Sequence, residues 1–126
     1  MNKEVFSFEL LAQNEKSRVG KINTPRGIIN TPAFMPVGTL GTVKGIFLDD
    51  LLETGTEIIL GNTYHLFLRP GLEVIKKFDG LHNFISWPKP MLSDSGGYQI
   101  FSLGKNRKIT LEGARFQSHI DGKTFM

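Results

Sequence analysis

Three short apolar runs, Ala33-Phe34-Met35-Pro36-Val37, Ile58-Ile59-Leu60 and Pro90-Met91-Leu92, alternate with two stretches of helical spacing. In the first stretch Leu48, Leu51 and Leu52 share one helix face, Asp49 and Asp50 favour its N-terminal end, and Gly55 stops it. In the second, Pro70 suits a first helical position, Leu72, Ile75 and Phe78 space the helix, and Gly80 ends it. The order β, α, β, α, β demands parallel strands joined by crossover helices. Each apolar run ends in glycine and polar groups: Val37-Gly38, Gly61-Asn62 and Asp94-Ser95-Gly96. Parallel strands put these three ends side by side, where β/α proteins build their sites.

The flanking segments read differently. Phe6, Phe8 and Leu10 alternate with Ser7 and Glu9, one apolar face at a period of two. Residues 19–22 and 28–30 flank the turn cluster Asn23-Thr24-Pro25-Arg26-Gly27, which predicts a hairpin. Beyond Ser102, Ile109 and Leu111 alternate with Lys108 and Thr110, and Phe116 and Ile120 alternate with Arg115 and His119. With Glu112-Gly113 between them, this predicts a second hairpin, and Asp121-Gly122 a further turn. The 126 residues suffice for one modest domain. Three parallel strands do not close a barrel, which takes about 250 residues. A small open α/β domain and a piece of something larger both remain open at this point.

Composition narrows the class. No apolar run approaches the roughly 20 residues of a membrane span, and Glu4 and Glu9 interrupt any signal-peptide core. A cytoplasmic protein without a membrane partner is expected. The chain has no cysteine, which excludes disulfides and thiolate ligands, and its three histidines lack metal-site spacing. The net charge of +3 is compatible with an anionic partner without requiring one. The basic residues Lys105, Arg107, Lys108, Arg115 and Lys123 could follow a phosphate backbone, although a solvated hairpin face is the preferred explanation.

Asp94 is the main chemical candidate. A carboxylate beside Ser95 and backbone N–H groups could serve as base, acid or nucleophile. Gly96 and Gly97 allow close approach of a planar ligand, on which Tyr98 could stack. The plainer alternative is a turn after a strand in which Asp94 caps the next element. Asn62 and Thr63 could hydrogen-bond a polar substrate, or Asn62 could open a turn with His65 filling a gap. Val37 could wall a pocket or belong to the core.

These residues also carry a resemblance. Residues 31–39 (Thr31-Pro32-Ala33-Phe34-Met35-Pro36-Val37-Gly38-Thr39), Gly61-Asn62-Thr63-Tyr64-His65-Leu66, Leu68-Arg69-Pro70-Gly71, Ser93-Asp94-Ser95-Gly96-Gly97-Tyr98-Gln99 and Ser118-His119-Ile120-Asp121-Gly122 resemble, in order, the queuine/preQ1 tRNA-guanine transglycosylase family. The resemblance implies an α/β fold: the N-terminal part of a TIM-type (β/α)8 barrel with a small antiparallel N-terminal sheet, incomplete in this chain. The expected partition is an antiparallel sheet over 1–32, three β/α units over 33–102 and a hairpin insertion over 103–126. It further implies exchange of guanine at the tRNA wobble position for a 7-deazaguanine (preQ1 or queuine) by double displacement. Asp94 matches the general acid/base, and Ser95, Gly96 and Gly97 match the lining of the base pocket. Tyr98 matches the stacking aromatic residue, and Val37 and Asn62 match residues near base and ribose. An exchanged base must leave its stack, and its flat face and polar edge need such partners.

The departures are as informative. The family's nucleophilic aspartate and further base-reading residues belong to a later part of the barrel. Its zinc site uses three cysteines and a histidine, so no cofactor is expected in this chain. The expected reading is a transglycosylase fragment that binds tRNA and a guanine or 7-deazaguanine base, inactive and marginally stable alone. The alternative is a non-catalytic or split-barrel subunit completed by a second chain, either a C-terminal fragment or a homodimer partner.

Overall fold

The computed structural model describes residues 6–103 and 105–126. The chain begins with a three-stranded antiparallel sheet of β1 (Ser7–Asn14), β2 (Ser17–Thr24) and β3 (Gly27–Thr31), in that order. The expected hairpin is there, with a tight loop: Thr24 pairs with Gly27, leaving Pro25 and Arg26 as its tip. The alternating face of β1 is less regular than expected. Pairing slips between Leu10 and Ala12, a β-bulge that leaves both Leu10 and Leu11 largely exposed. Phe8 lies across Gly20, where a Cβ would sit 2.6 Å from its ring. Only glycine lets that ring close on the neighbouring strand.

The parallel unit comes next. β4 (Ile59–Gly61) pairs with β5 (Met91–Ser93) in parallel, with Leu60 opposite Leu92 and Gly61 opposite Ser93. On the other side of β4 the expected strand over 33–37 is reduced to a single parallel bridge, Val37 to Leu60. Leu60 N–H donates to Pro36 O at 2.9 Å and Gly38 N–H to Leu60 O at 2.7 Å. The two prolines explain the shortening: Pro32 and Pro36 lack the N–H groups that a longer ladder needs. The parallel direction of all three segments holds nonetheless.

Helices fill the crossovers. α1 (Leu48–Glu53) forms as its leucine spacing predicts, with Asp49 and Asp50 in its first turn. Between β4 and β5 the chain forms three short helices where one was expected: α2 (Thr63–Leu68), α3 (Leu72–Lys77) and α4 (Leu81–Ile85). α3 begins two residues after Pro70, with Gly71 as its N-cap. α2, for which the sequence offers no more than a turn opening at Asn62, is a helix that starts directly at the strand end. The main core joins Leu51, Ile59 and Trp87, with Val43, Leu48, Ile85 and Met91 packed around them. The Trp87 indole N–H donates to Pro90 O at 2.8 Å, closing the turn into β5.

After β5, α5 (Gly97–Leu103) leads into a second antiparallel sheet of β6 (Lys105–Thr110), β7 (Gly113–Gln117) and β8 (Thr124–Phe125). The hairpin is as expected, but its apolar alternation is not a core pattern. Leu111 stands in the turn, fully exposed, and Ile109 is exposed as well. Nor does β7 reach Ile120. The Ser118 hydroxyl accepts the Ile120 N–H at 3.1 Å, and Gly122 N–H donates to Ser118 O at 3.0 Å, so the chain turns there. Phe116 and Phe125 face inward and pack on Phe67 of α2, with ring centroids 6.4 and 5.1 Å away. The result is a mixed α/β chain with two small antiparallel sheets flanking a parallel unit. No helix among the described residues is long and apolar enough to cross a membrane.

Candidate active site

The ends of β4 and β5 meet through Asp94. Its backbone N–H reaches Gly61 O at 3.4 Å, continuing the parallel ladder by one residue. Its carboxylate is gripped from α2. Asn62 Nδ2 donates to Oδ2 at 2.6 Å, and Thr63 N–H donates to Oδ1 at 2.7 Å. Thr63 Oγ1 donates to the Asp94 carbonyl at 2.5 Å, and Gln99 Nε2 adds a longer contact to Oδ2 at 3.4 Å. Partial burial pushes the Asp94 carboxyl upward. Hydrogen bonds from the Asn62 amide, the Thr63 and Gly96 N–H groups and the Thr63 hydroxyl outweigh it, so the group sits below the usual carboxylate range. At neutral pH Asp94 is therefore an anion.

The other residues singled out from sequence fall around this clamp. Gly96, at φ 70°, is buried against the backbone of Tyr64, where a Cβ would lie 3.2 Å from Tyr64 N. The Ser95 hydroxyl accepts the Gly97 N–H at 3.3 Å and shapes the turn into α5. Tyr98 is 76% exposed on α5, with its ring free in solvent. Val37 is half-exposed and helps line a cavity of about 590 Å³ together with Thr39, Leu40, Phe47 and His65. Asp94 is not among that cavity's lining residues. Four of the basic residues have described surroundings. Arg107 lies 4.3 Å over the Phe101 ring and donates to the Phe101 carbonyl, Lys108 stands opposite Arg115, and Lys123 pairs with Asp121 at 3.4 Å.

The sequence offers Thr63 as a hydrogen-bonding partner for a polar substrate and gives Gln99 no role beyond its motif. In the structure both bond to Asp94. The signal was their place within the two quoted motifs, each within five residues of Asn62 or Asp94. The resemblance also implies a zinc site. The chain lacks cysteine, and no three His, Asp or Glu side chains cluster among the described residues, so the residues present do not fit that group.

The fold and site together define a mixed α/β protein that presents an anionic carboxylate, held by an amide and a helix-start N–H, at the joined ends of two parallel strands. Comparison with known proteins makes this particular. The family model described as queuine tRNA-ribosyltransferase matches residues 13–126. Proteins named queuine tRNA-ribosyltransferase are 61% identical over 95% of this chain in Pseudomonas putida, 54% over 97% in Rhizobium meliloti and 56% over 94% in Aquifex aeolicus. The chain belongs to the queuine tRNA-ribosyltransferase family. It spans about a third of the length of these relatives, 33%, 32% and 33% respectively.

Proposed function

We propose that this chain forms the acid/base half of a tRNA-guanine transglycosylase site, with Asp94 moving the proton as one purine-like base leaves and another enters. The observation that carries this reading is the clamp on Asp94 at the joined ends of two parallel strands, in a chain of this family. The substrates would be tRNA and a guanine or 7-deazaguanine base. Tyr98 has a free ring face on which a flat base could stack, and the Gly96-Gly97 backbone offers close approach.

The clamp also shapes the chemistry. A carboxylate held by two short hydrogen bonds stays ionised and is a weak base while they last. An entering base that takes over the Asn62 or Thr63 bonds would raise the Asp94 pKa and convert it into a donor. The fuller fold proposed for the longer protein is a β/α barrel, in which the three parallel segments seen here are the first. The nucleophilic aspartate would come from outside these 126 residues, so the chain alone would exchange no base. Incorporation of radiolabelled guanine into tRNA tests both statements. The expected result is no turnover by this chain, and turnover when the remaining two-thirds of a relative is supplied in trans. Robust turnover by the 126 residues alone would sink the claim of inactivity.

A second reading, a split-barrel subunit, draws on one specific observation. β5 pairs only with β4 among the described residues, and Leu92 on it is exposed. An unpaired parallel edge invites another strand. Failure of the two pieces to associate on co-expression would remove this reading.

A further inference from the structure

Tyr64 sits one residue from Thr63, whose N–H and hydroxyl grip Asp94. Its backbone is also the surface on which Gly96 packs, two residues past the carboxylate. Whatever fixes Tyr64 therefore fixes both sides of the clamp. The side chain is nearly fully buried, 3% exposed, and its ring meets Phe116 of β7 at 5.5 Å. Its hydroxyl lies 3.0 Å from His119 Nδ1, and the two rings stack at 5.7 Å with 13° between their planes. His65 closes the group edge-on, 5.4 Å from Tyr64 and 6.0 Å from His119. Burial raises the Tyr64 phenol, so it keeps its proton and has one to donate.

We propose that Tyr64 and His119 form a positioning pair: the Tyr64 O–H donates to His119 Nδ1, and the turn after β7 thereby braces the Asn62–Thr63 grip on Asp94. The proposal rests on the reading of Asp94 as the working carboxylate and adds a function for the second antiparallel sheet. Without the brace, α2 keeps its helical bonds but its first residues regain freedom relative to Asp94. The two short hydrogen bonds to the carboxylate are the most distance-sensitive element and loosen first. No hydrogen bond joins His119 to Asp94 among the described residues. His119 acts through Tyr64, across 55 residues of sequence.

The test is the carboxyl titration of Asp94 in the 126-residue chain, followed by NMR with ¹³C-labelled aspartate and assigned through Asp94→Asn. His119→Ala is expected to move the Asp94 midpoint upward toward the ordinary carboxylate range and to broaden the Thr63 amide signal. Tyr64→Phe, which keeps the ring but loses the hydroxyl, is expected to do the same. His119→Asn, whose Oδ1 can accept the phenol proton, is expected to restore the wild-type midpoint. His119 is exposed and Tyr64→Phe preserves volume, so these variants should stay folded. An Asp94 midpoint unchanged in both His119→Ala and Tyr64→Phe would overturn the proposal. A midpoint in His119→Asn equal to that in His119→Ala would overturn the hydrogen-bonded route. Because no readout here depends on base exchange, failure of the transglycosylase reading would show separately, as absent turnover in the two-piece assay.

Discussion

Asn62 occupies the N-cap position of α2, where an asparagine ordinarily accepts N–H groups of its own helix. Here it makes no such bond, and its amide donates to Asp94 instead. Asp94 in turn takes the N–H of Thr63, the first residue of that helix. The capping is exchanged across two strand ends, a local sacrifice of the kind that functional sites make. Two outcomes belong at this scale. Asp94→Asn, tested in the two-piece exchange assay, should cost on the order of 10²- to 10⁴-fold in rate, the usual worth of a positioned acid/base group. Asn62→Ala should raise the Asp94 midpoint in the carboxyl titration. The sign for stability follows. A carboxyl held low when folded contributes stability that is fully present above its unfolded pKa, about 3.9. That contribution disappears as pH falls through the lower folded value. Acid unfolding of Asn62→Ala should therefore lose part of this dependence below about pH 4.

Among the elements, α1, β4 and β5 were legible because leucine spacing marks one helix face and short apolar runs bounded by glycine or proline suit buried strands. α2 was not. Thr63-Tyr64-His65-Leu66-Phe67-Leu68 is apolar on most sides, since one flank meets the parallel unit and the other meets Phe116 and Phe125. Such a helix has no polar face to reveal its period. The 33–37 segment failed in the opposite direction: its residues suit a strand, but two missing N–H groups leave one bridge. Asp94 and Asn62 stood out individually, yet their mutual contact depended on a helix start that the pattern hid. Core predictions follow from the same elements. Leu51→Ala in α1 should destabilise by about 2–5 kcal/mol in denaturant unfolding, the range for truncating a buried leucine. α4 carries an acid-sensitive point. Burial, then the nearby Arg26 charge, lowers the His82 pKa, and His82 Nε2 is buried without a partner. A histidine kept neutral when folded costs nothing above its unfolded pKa of about 6.5 and becomes a liability as pH drops below it. Midpoints of thermal unfolding should fall between about pH 6.5 and 5, and less so in His82→Leu.

Across the whole molecule several large apolar side chains stand in water. Phe34, Phe47, Phe101 and Leu111 are each at least 60% exposed, and the edge of β5 is open among the described residues. The chain should bind a hydrophobic dye and associate with itself as its concentration rises, and both effects should weaken when the remainder of a relative is supplied. Sedimentation with and without that second piece measures this. A sharp, cooperative unfolding transition in a dye-free monomer would contradict it. The molecule also carries its own gauge for such experiments. Trp87 is the sole tryptophan of the sequence and is 1% exposed, with its indole N–H committed to Pro90. Its intrinsic fluorescence therefore has a single origin, at the seam between α4 and β5. Emission should begin at the blue end of the indole range and move red only when that seam opens. A red shift preceding the loss of helical circular dichroism would mean that the turn leading into β5, the strand that carries Asp94 at its end, loosens before the rest of the chain.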